Sequence, residues 1–180
     1  MKKDIERIIE IPDTVQANID GAKVVLKKDG KEVTRLFELP NVSIEKKGNQ
    51  IILSAKKATK RELRVIGTAE AHIKNMIKGL GEDFVYHLEV CNVHFPMNVK
   101  VEGAKLVIKS FLGETVDRHA NILKNVKVEV KGNQITVSSH EREAAGQTAA
   151  NIEKATKLRG RDRRIFQDGI FMTEKCGRKI

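Results

Sequence analysis

Apolar and polar residues alternate on both sides of a Gly-Asn pair in "VSIEKKGNQIILS". Val42 and Ile44 share one face before the pair, and Ile51 and Leu53 share one face after it. This period of two predicts two strands joined by a tight hairpin, because Gly and Asn tolerate the positive φ such turns need. The same signature returns later and is cleaner: Val126, Val128 and Val130 precede a second Gly-Asn, and Ile135 and Val137 follow it. An earlier hairpin is predicted in "AKVVLKKDGKEVTRLF", turning at Asp29-Gly30. After each Gly-Asn hairpin the period changes. Leu63, Ile66, Ala69, Ile73, Ile77 and Leu80 recur at three and four residues and predict one helix face. Thr59 with Glu62 forms a capping box ahead of it, and Gly79 and Gly81 supply a stop. In the second stretch Ser138 with Glu141 takes the cap position, followed by Ala145, Ala149, Ile152 and Ala155. Gly67 and Gly146 lie inside these helices, where Gly costs about 1 kcal/mol against Ala. Their recurrence predicts that each lets a helix approach its sheet.

The two stretches belong to a larger repeat. "GAKVVLK" (21–27) matches "GAKLVIK" (103–109), and "GKEVTR" (30–35) matches "GETVDR" (113–118). "KKGNQIILS" (46–54) matches "VKGNQITVS" (130–138), and "GTAEAHI" (67–73) matches "GQTAANI" (146–152). Pro12 and Pro96 open the two copies. Offsets drift only between 79 (146 − 67) and 84 (132 − 48), as short loop insertions cause, and the order never changes. The fold class expected is α+β: a tandem duplication of a small domain with antiparallel β-sheets and one α-helix. The first repeat spans 1–83; the second spans 84–180 and carries a basic C-terminal extension. The KGNQ stretch is then a turn kept in both copies, with a phosphate-binding loop as the functional alternative.

Composition sharpens this picture. Aromatics are 4% of 180 residues and Trp is absent, so the cores must be aliphatic. The net charge of +10 is uneven: residues 154–180 hold nine basic and three acidic residues, whereas 84–153 hold eight of each. The tail is the basic end, which points to a polyanion partner or to a solvated face. Two cysteines make no disulfide framework and suit a reduced cytosolic setting. "MKKDIERIIEIPD" has no signal-peptide pattern, and no stretch is apolar enough to span a membrane.

Catalytic signatures are absent: no G-x-S-x-G, Walker loop, H-E-x-x-H or paired C-x-x-C occurs. No clustered acid–base set, resident metal or cofactor is expected, and the chain reads as a non-enzyme. His87, Cys91 and His94 come nearest to a metal set, but on a strand His94 points away from the other two and a fourth ligand is lacking. The informative segment is "KATKLRGRDRRIFQDGIFMTEKCGRKI", where Arg159, Arg161, Arg163 and Arg164 crowd six positions against Asp162. Arginine presents a planar fork of donors that matches phosphate oxygens. Ile165, Phe166, Ile170 and Phe171 then read as an anchor returning to the core, which would make the basic run a clamp tethered at both ends. Lys157, Arg159, Arg161, Arg163, Arg164, Lys175, Arg178 and Lys179 are the expected phosphate contacts, with Arg118, His119 and Lys124 as further candidates.

These residues carry a resemblance. "DGKEVTR", "GQTAANIEKA", and Leu158, Arg161, Arg164, Phe166, Asp168, Gly169, Ile170 and Phe171 stand in the order of a C-terminal signature. Over essentially its whole length the chain resembles the universal large-subunit ribosomal protein number six family, in its archaeal and eukaryotic branch. Lys154 stands where that pattern usually opens with Gln. The resemblance implies a non-enzymatic, cytoplasmic component of the large ribosomal subunit that binds 23S-type rRNA. It also implies a place at the stalk base, among neighbouring ribosomal proteins and close to where elongation factors dock. The alternative is a non-ribosomal α+β module that binds protein partners through a sheet edge, and neutralising the tail would not affect it.

Overall fold

Alternating side chains build strands where the sequence predicts hairpins, and the computed structural model describes them over residues 3–180. The chain divides after Glu82 into two units, each with its own core. In the first, β1 (Lys3–Glu10), β2 (Gln16–Asp20), β3 (Lys23–Lys28), β4 (Lys31–Leu36), β5 (Ser43–Lys47) and β6 (Gln50–Ala58) precede α1 (Lys60–Gly81). In the second, β7 (Phe84–Cys91), β8 (Asn98–Glu102), β9 (Lys105–Lys109), β10 (Arg118–Asn121), β11 (Lys127–Lys131) and β12 (Gln134–Ser139) precede α2 (Arg142–Ala155). Two further strands follow α2, namely β13 (Gly169–Lys175) and β14 (Arg178–Lys179). All pairings are antiparallel. The first unit has sheets ordered β1-β6-β5 and β2-β3-β4. The second repeats them as β7-β12-β11 and β8-β9-β10, then extends the former on its other side with β13 and β14. The architecture is the duplicated α+β plan. Each copy begins one strand ahead of the prolines, so Pro12 and Pro96 follow the opening strands β1 and β7.

The recurring "GNQ" has a mechanical reason. Gly48 and Gly132 take φ +60° at the first of two turn positions, the pattern of a type II′ hairpin. The asparagine carbonyl that follows then accepts a neighbouring strand's N–H: Ile11 N–H to Asn49 O, and Val90 N–H to Asn133 O, each at 2.8 Å. One hydrogen bond thus extends the same ladder in both copies.

Each helix packs its apolar stripe on the sheets of its own unit. Ile66, Ala69, Ile73, Met76 and Leu80 of α1 join Ile9, Val24, Leu26, Ile51 and Leu53 in the first core. Burying each large aliphatic side chain contributes about 1.5–3 kcal/mol. Leu63, expected on this face, is exposed one turn from the helix start. The Thr59–Glu62 capping box forms as predicted and holds the Glu62 carboxyl at about 2. In the second core Ala145, Ala149 and Ile152 of α2 meet Tyr86, Leu88, Ile108, Ile135, Val137 and Ile170.

Two expectations about the helices need correction. Ser138 and Glu141 do not form a capping box. Ser138 is still in β12, and Glu141 is the cap residue with no side-chain cap bond. Ser139 holds this junction: its hydroxyl donates to Asn125 O (2.7 Å) and accepts from Glu141 N–H (3.1 Å). The glycines also differ. A Cβ placed on Gly146 would lie 3.0 Å from the Tyr86 hydroxyl oxygen, so that helix does approach its sheet closely. A Cβ on Gly67 would meet nothing within 4 Å, and close packing does not explain that residue.

Candidate nucleic-acid interface

The basic run leaves α2 as a loop, residues 157–168, whose two ends are tied together. Thr156 is buried at the end of the helix. Its hydroxyl donates to Glu153 O (3.2 Å) and accepts the N–H of Ile170 (2.9 Å), which joins the last helical turn to the start of β13. Within the loop Gly160 supplies φ +67°, and Asp162 folds the next turn. The Asp162 carboxylate accepts the Arg164 N–H at 2.9 Å, and its carbonyl accepts those of Ile165 and Phe166. Such local acceptors are why Asp initiates turns.

The far end is fixed by Asp168, whose side chain is 1% exposed. One carboxylate oxygen accepts the backbone N–H groups of Val93 and His94, each at 2.8 Å, and the other meets His94 Nδ1 at 2.6 Å. Burial alone would raise this carboxyl; the N–H and ring of His94 and the N–H of Val93 outweigh it and hold it at about 2. The His94 ring in turn stacks on Phe166, with centroids 5.0 Å apart, and the Arg161 guanidinium lies 4.8 Å from the Phe166 centroid. A buried carboxylate, an imidazole and an aromatic ring therefore stand behind one loop arginine. His94 is thus engaged with Asp168, and His87 contacts Thr136 instead (3.4 Å). Among the described residues no group of three potential ligands converges as a metal site.

The predicted contacts fall into separate groups. Lys157, Arg159, Arg161, Arg163 and Arg164 are all exposed on the tied loop. Arg164 forks onto Asp162 (2.8 Å), but its side chain is 90% exposed, and water screens such a surface pair, so a phosphate competes for it readily. Lys175, Arg178 and Lys179 sit at the other end of β13, about 20 Å along the strand at roughly 3.3 Å per residue. His119 is exposed on β10, and Lys124 is exposed beyond that strand. Arg118 has a different job. It grips Glu114 with two nitrogens (2.6 and 2.7 Å), donates to Ala155 O at the end of α2 (2.9 Å), and covers Phe111 at 4.3 Å. Its donors serve the fold.

The apolar anchor also differs from expectation. Ile170 is fully buried, whereas Phe171 is 44% exposed, Ile165 is exposed and Phe166 is half-buried. Ile170 and Phe171 are strand neighbours, so only one can face the core. The supporting role of His94 left no sequence signal, because it lies 74 positions from Asp168.

The ribosomal protein L6 family model matches this chain twice, over residues 11–82 and 95–169. The large ribosomal subunit protein uL6 of Methanococcus vannielii is 41% identical over 176 residues, covering 98% of this chain and 97% of that protein. The protein of the same name from Methanosarcina mazei is 43% identical over 176 residues, covering 98% of this chain and all of that protein. That of Methanobrevibacter smithii is 43% identical over 171 residues, covering 95% and 96%. Two matches in tandem agree with the two copies of one strand-and-helix unit, and the chain belongs to the ribosomal protein L6 family.

Proposed function

We propose that this protein is a structural component of the large ribosomal subunit, in the cytoplasm, and that it binds large-subunit rRNA directly and catalyses no reaction. The observation that carries this reading is the tied loop. Lys157, Arg159, Arg161, Arg163 and Arg164 all reach solvent from a segment whose ends are held by Thr156 and Asp168. A loop already ordered loses little conformational freedom on binding, so its arginine forks are available to phosphates at low entropic cost. Lys175, Arg178 and Lys179 form a second basic group at the β13–β14 hairpin, and His119 and Lys124 a third. Family resemblance supports the finer address: the stalk base, beside neighbouring ribosomal proteins and near docked elongation factors.

The test is binding of the full chain to in vitro transcribed large-subunit rRNA, with co-sedimentation on large subunits as a parallel measurement. Saturable binding that weakens steeply with salt is expected, because each phosphate contact releases condensed counterions. Binding no tighter than to an unrelated RNA of equal length, together with absence from sedimented subunits, sinks the proposal and leaves a protein-binding module as the better reading.

A further inference from the structure

At the root of the tied loop the second unit has a cavity of about 720 Å³, walled by the last turn of α2, the loop itself and the segment after β7. This lies within the roughly 300–1,000 Å³ of ordinary ligand sites. Two of the exposed large apolar residues, Phe171 and Val93, line it. The Phe171 ring is held in place rather than waving in solvent: a Cβ on Gly169 would lie 3.0 Å from its ring carbon Cζ, so the ring rests against a backbone that carries no side chain. Lys154, Lys157 and Arg163 form the rim, and among the described residues none of the three is in an ion pair. The acids that also line the cavity do not cancel them. Both oxygens of Asp168 are turned to Val93 and His94, so the two acids, Asp168 and the exposed Glu153, offset only part of the charge of three cations. The Gln167 amide donates to the Arg164 carbonyl (3.3 Å) and keeps its own oxygen as an acceptor.

We propose that this cavity receives one unstacked RNA nucleotide, its base laid on Phe171 and its phosphate on the Lys157 and Arg163 rim. The inference rests on the rRNA-binding reading and adds to it a specific nucleotide subsite. A bare phosphate has no use for an exposed aromatic face, and an apolar peptide side chain leaves three unpaired cations unused. A nucleotide uses both. Unpaired RNA bases splay out onto aromatic rings and are read along their edges, which is the service the Gln167 oxygen offers.

Phe171→Leu tests this, since it keeps apolar bulk and removes the aromatic face. Loss of base stacking should weaken binding to the transcribed large-subunit rRNA by about 5- to 150-fold. The slope of log Kd against log salt should stay that of the parent, and Phe171→Tyr should restore parental affinity. A short single-stranded oligoribonucleotide bearing 2-aminopurine gives a second readout: its fluorescence should quench on the parent and not on Phe171→Leu. If the parent binds rRNA and Phe171→Leu binds within about twofold of it, the subsite idea is wrong while the rRNA reading stands. If the parent itself shows no specific rRNA binding, both fall.

Discussion

The Asp168 carboxylate and the His94 ring meet at 2.6 Å across 74 positions of sequence. That contact, with the two N–H groups that Asp168 also accepts, binds the loop after β7 to the residue just ahead of β13. The His94 ring that Asp168 holds is also the one stacked on Phe166, so the basic loop and the start of the strand it feeds share this tie.

The first prediction concerns acid. The Asp168 carboxyl sits at about 2 in the folded protein against an ordinary 3.8, so its contribution is fully present above the unfolded value. It is lost as pH falls from about 3.8 towards 2. Urea unfolding should therefore show the parent losing stability across this window, and Asp168→Asn losing less. Asp168→Ala, which strands the Val93 and His94 N–H groups, should cost about 1–3 kcal/mol at neutral pH. Parallel pH profiles for parent and Asp168→Asn would show that the carboxylate is not the acid-sensitive tie.

A second prediction separates the strand neighbours. Ile170→Ala removes a fully buried side chain and should cost about 2–5 kcal/mol. Phe171→Ala should cost far less, closer to the roughly 0.5 kcal/mol of exposed positions. Thermal or urea melts of the two variants settle the order, and a larger loss at Phe171 contradicts the packing described above.

The helix glycines should respond in opposite senses. Gly67 faces open space, so Gly67→Ala should stabilise by up to about 1 kcal/mol through helix propensity. Gly146 faces the buried Tyr86 ring, so Gly146→Leu should overpack that contact and cost about 1–3 kcal/mol. A Gly146→Leu melt that matches or exceeds the parent would show that the Tyr86 contact does not limit the site.

Salt dependence distinguishes arginines that meet RNA from those that hold the protein. Replacing Arg159, Arg161, Arg163 and Arg164 together by Gln should flatten the log–log salt slope by about 3–4 units, at roughly 0.9 per phosphate. Arg118→Ala should leave the slope alone and cost about 1.5–3 kcal/mol of stability, because its charged hydrogen bonds are internal. A slope unchanged in the four-Gln protein moves the search for the contact surface to His119, Lys124 and the β13–β14 hairpin.

Much of the fold was legible because it is local. The Gly-Asn and Asp-Gly turns, the alternation beside them and the Thr59–Glu62 cap each depend on residues a few positions apart. The repeat then supplied the Gly-Asn hairpin and the helix stripe twice. What failed depended on register or distance. A slip of one residue separates Ser138 from Ser139, and only the latter faces inward to reach Asn125. Ile170 and Phe171 are similar in hydrophobicity, and nothing local says which one faces the core. Arg118 looks like its basic neighbours in sequence, but its partner at Ala155 lies 37 positions away. The loop arginines were legible as a charge cluster, whereas the ties that order them, Thr156 to Ile170 and Asp168 to His94, belong to tertiary structure.

The strands added after α2 give the two halves different assembly histories. In the first unit every strand has been made before the helix, so adding α1 completes the sheets and their cover together. In the second, Cys91 pairs with Gly169, 78 residues later in synthesis (169 − 91), and β7 is an inner strand. Until β13 emerges, β7 presents a bare edge of unpaired N–H and C=O groups, the kind of edge that recruits other chains. The first half can finish while the polypeptide is still growing, since domains generally fold as units from the N-terminus. The second half spends that interval with the β7 edge open and closes it when β13 arrives, whereas its counterpart β1 stays an edge strand of the finished first unit.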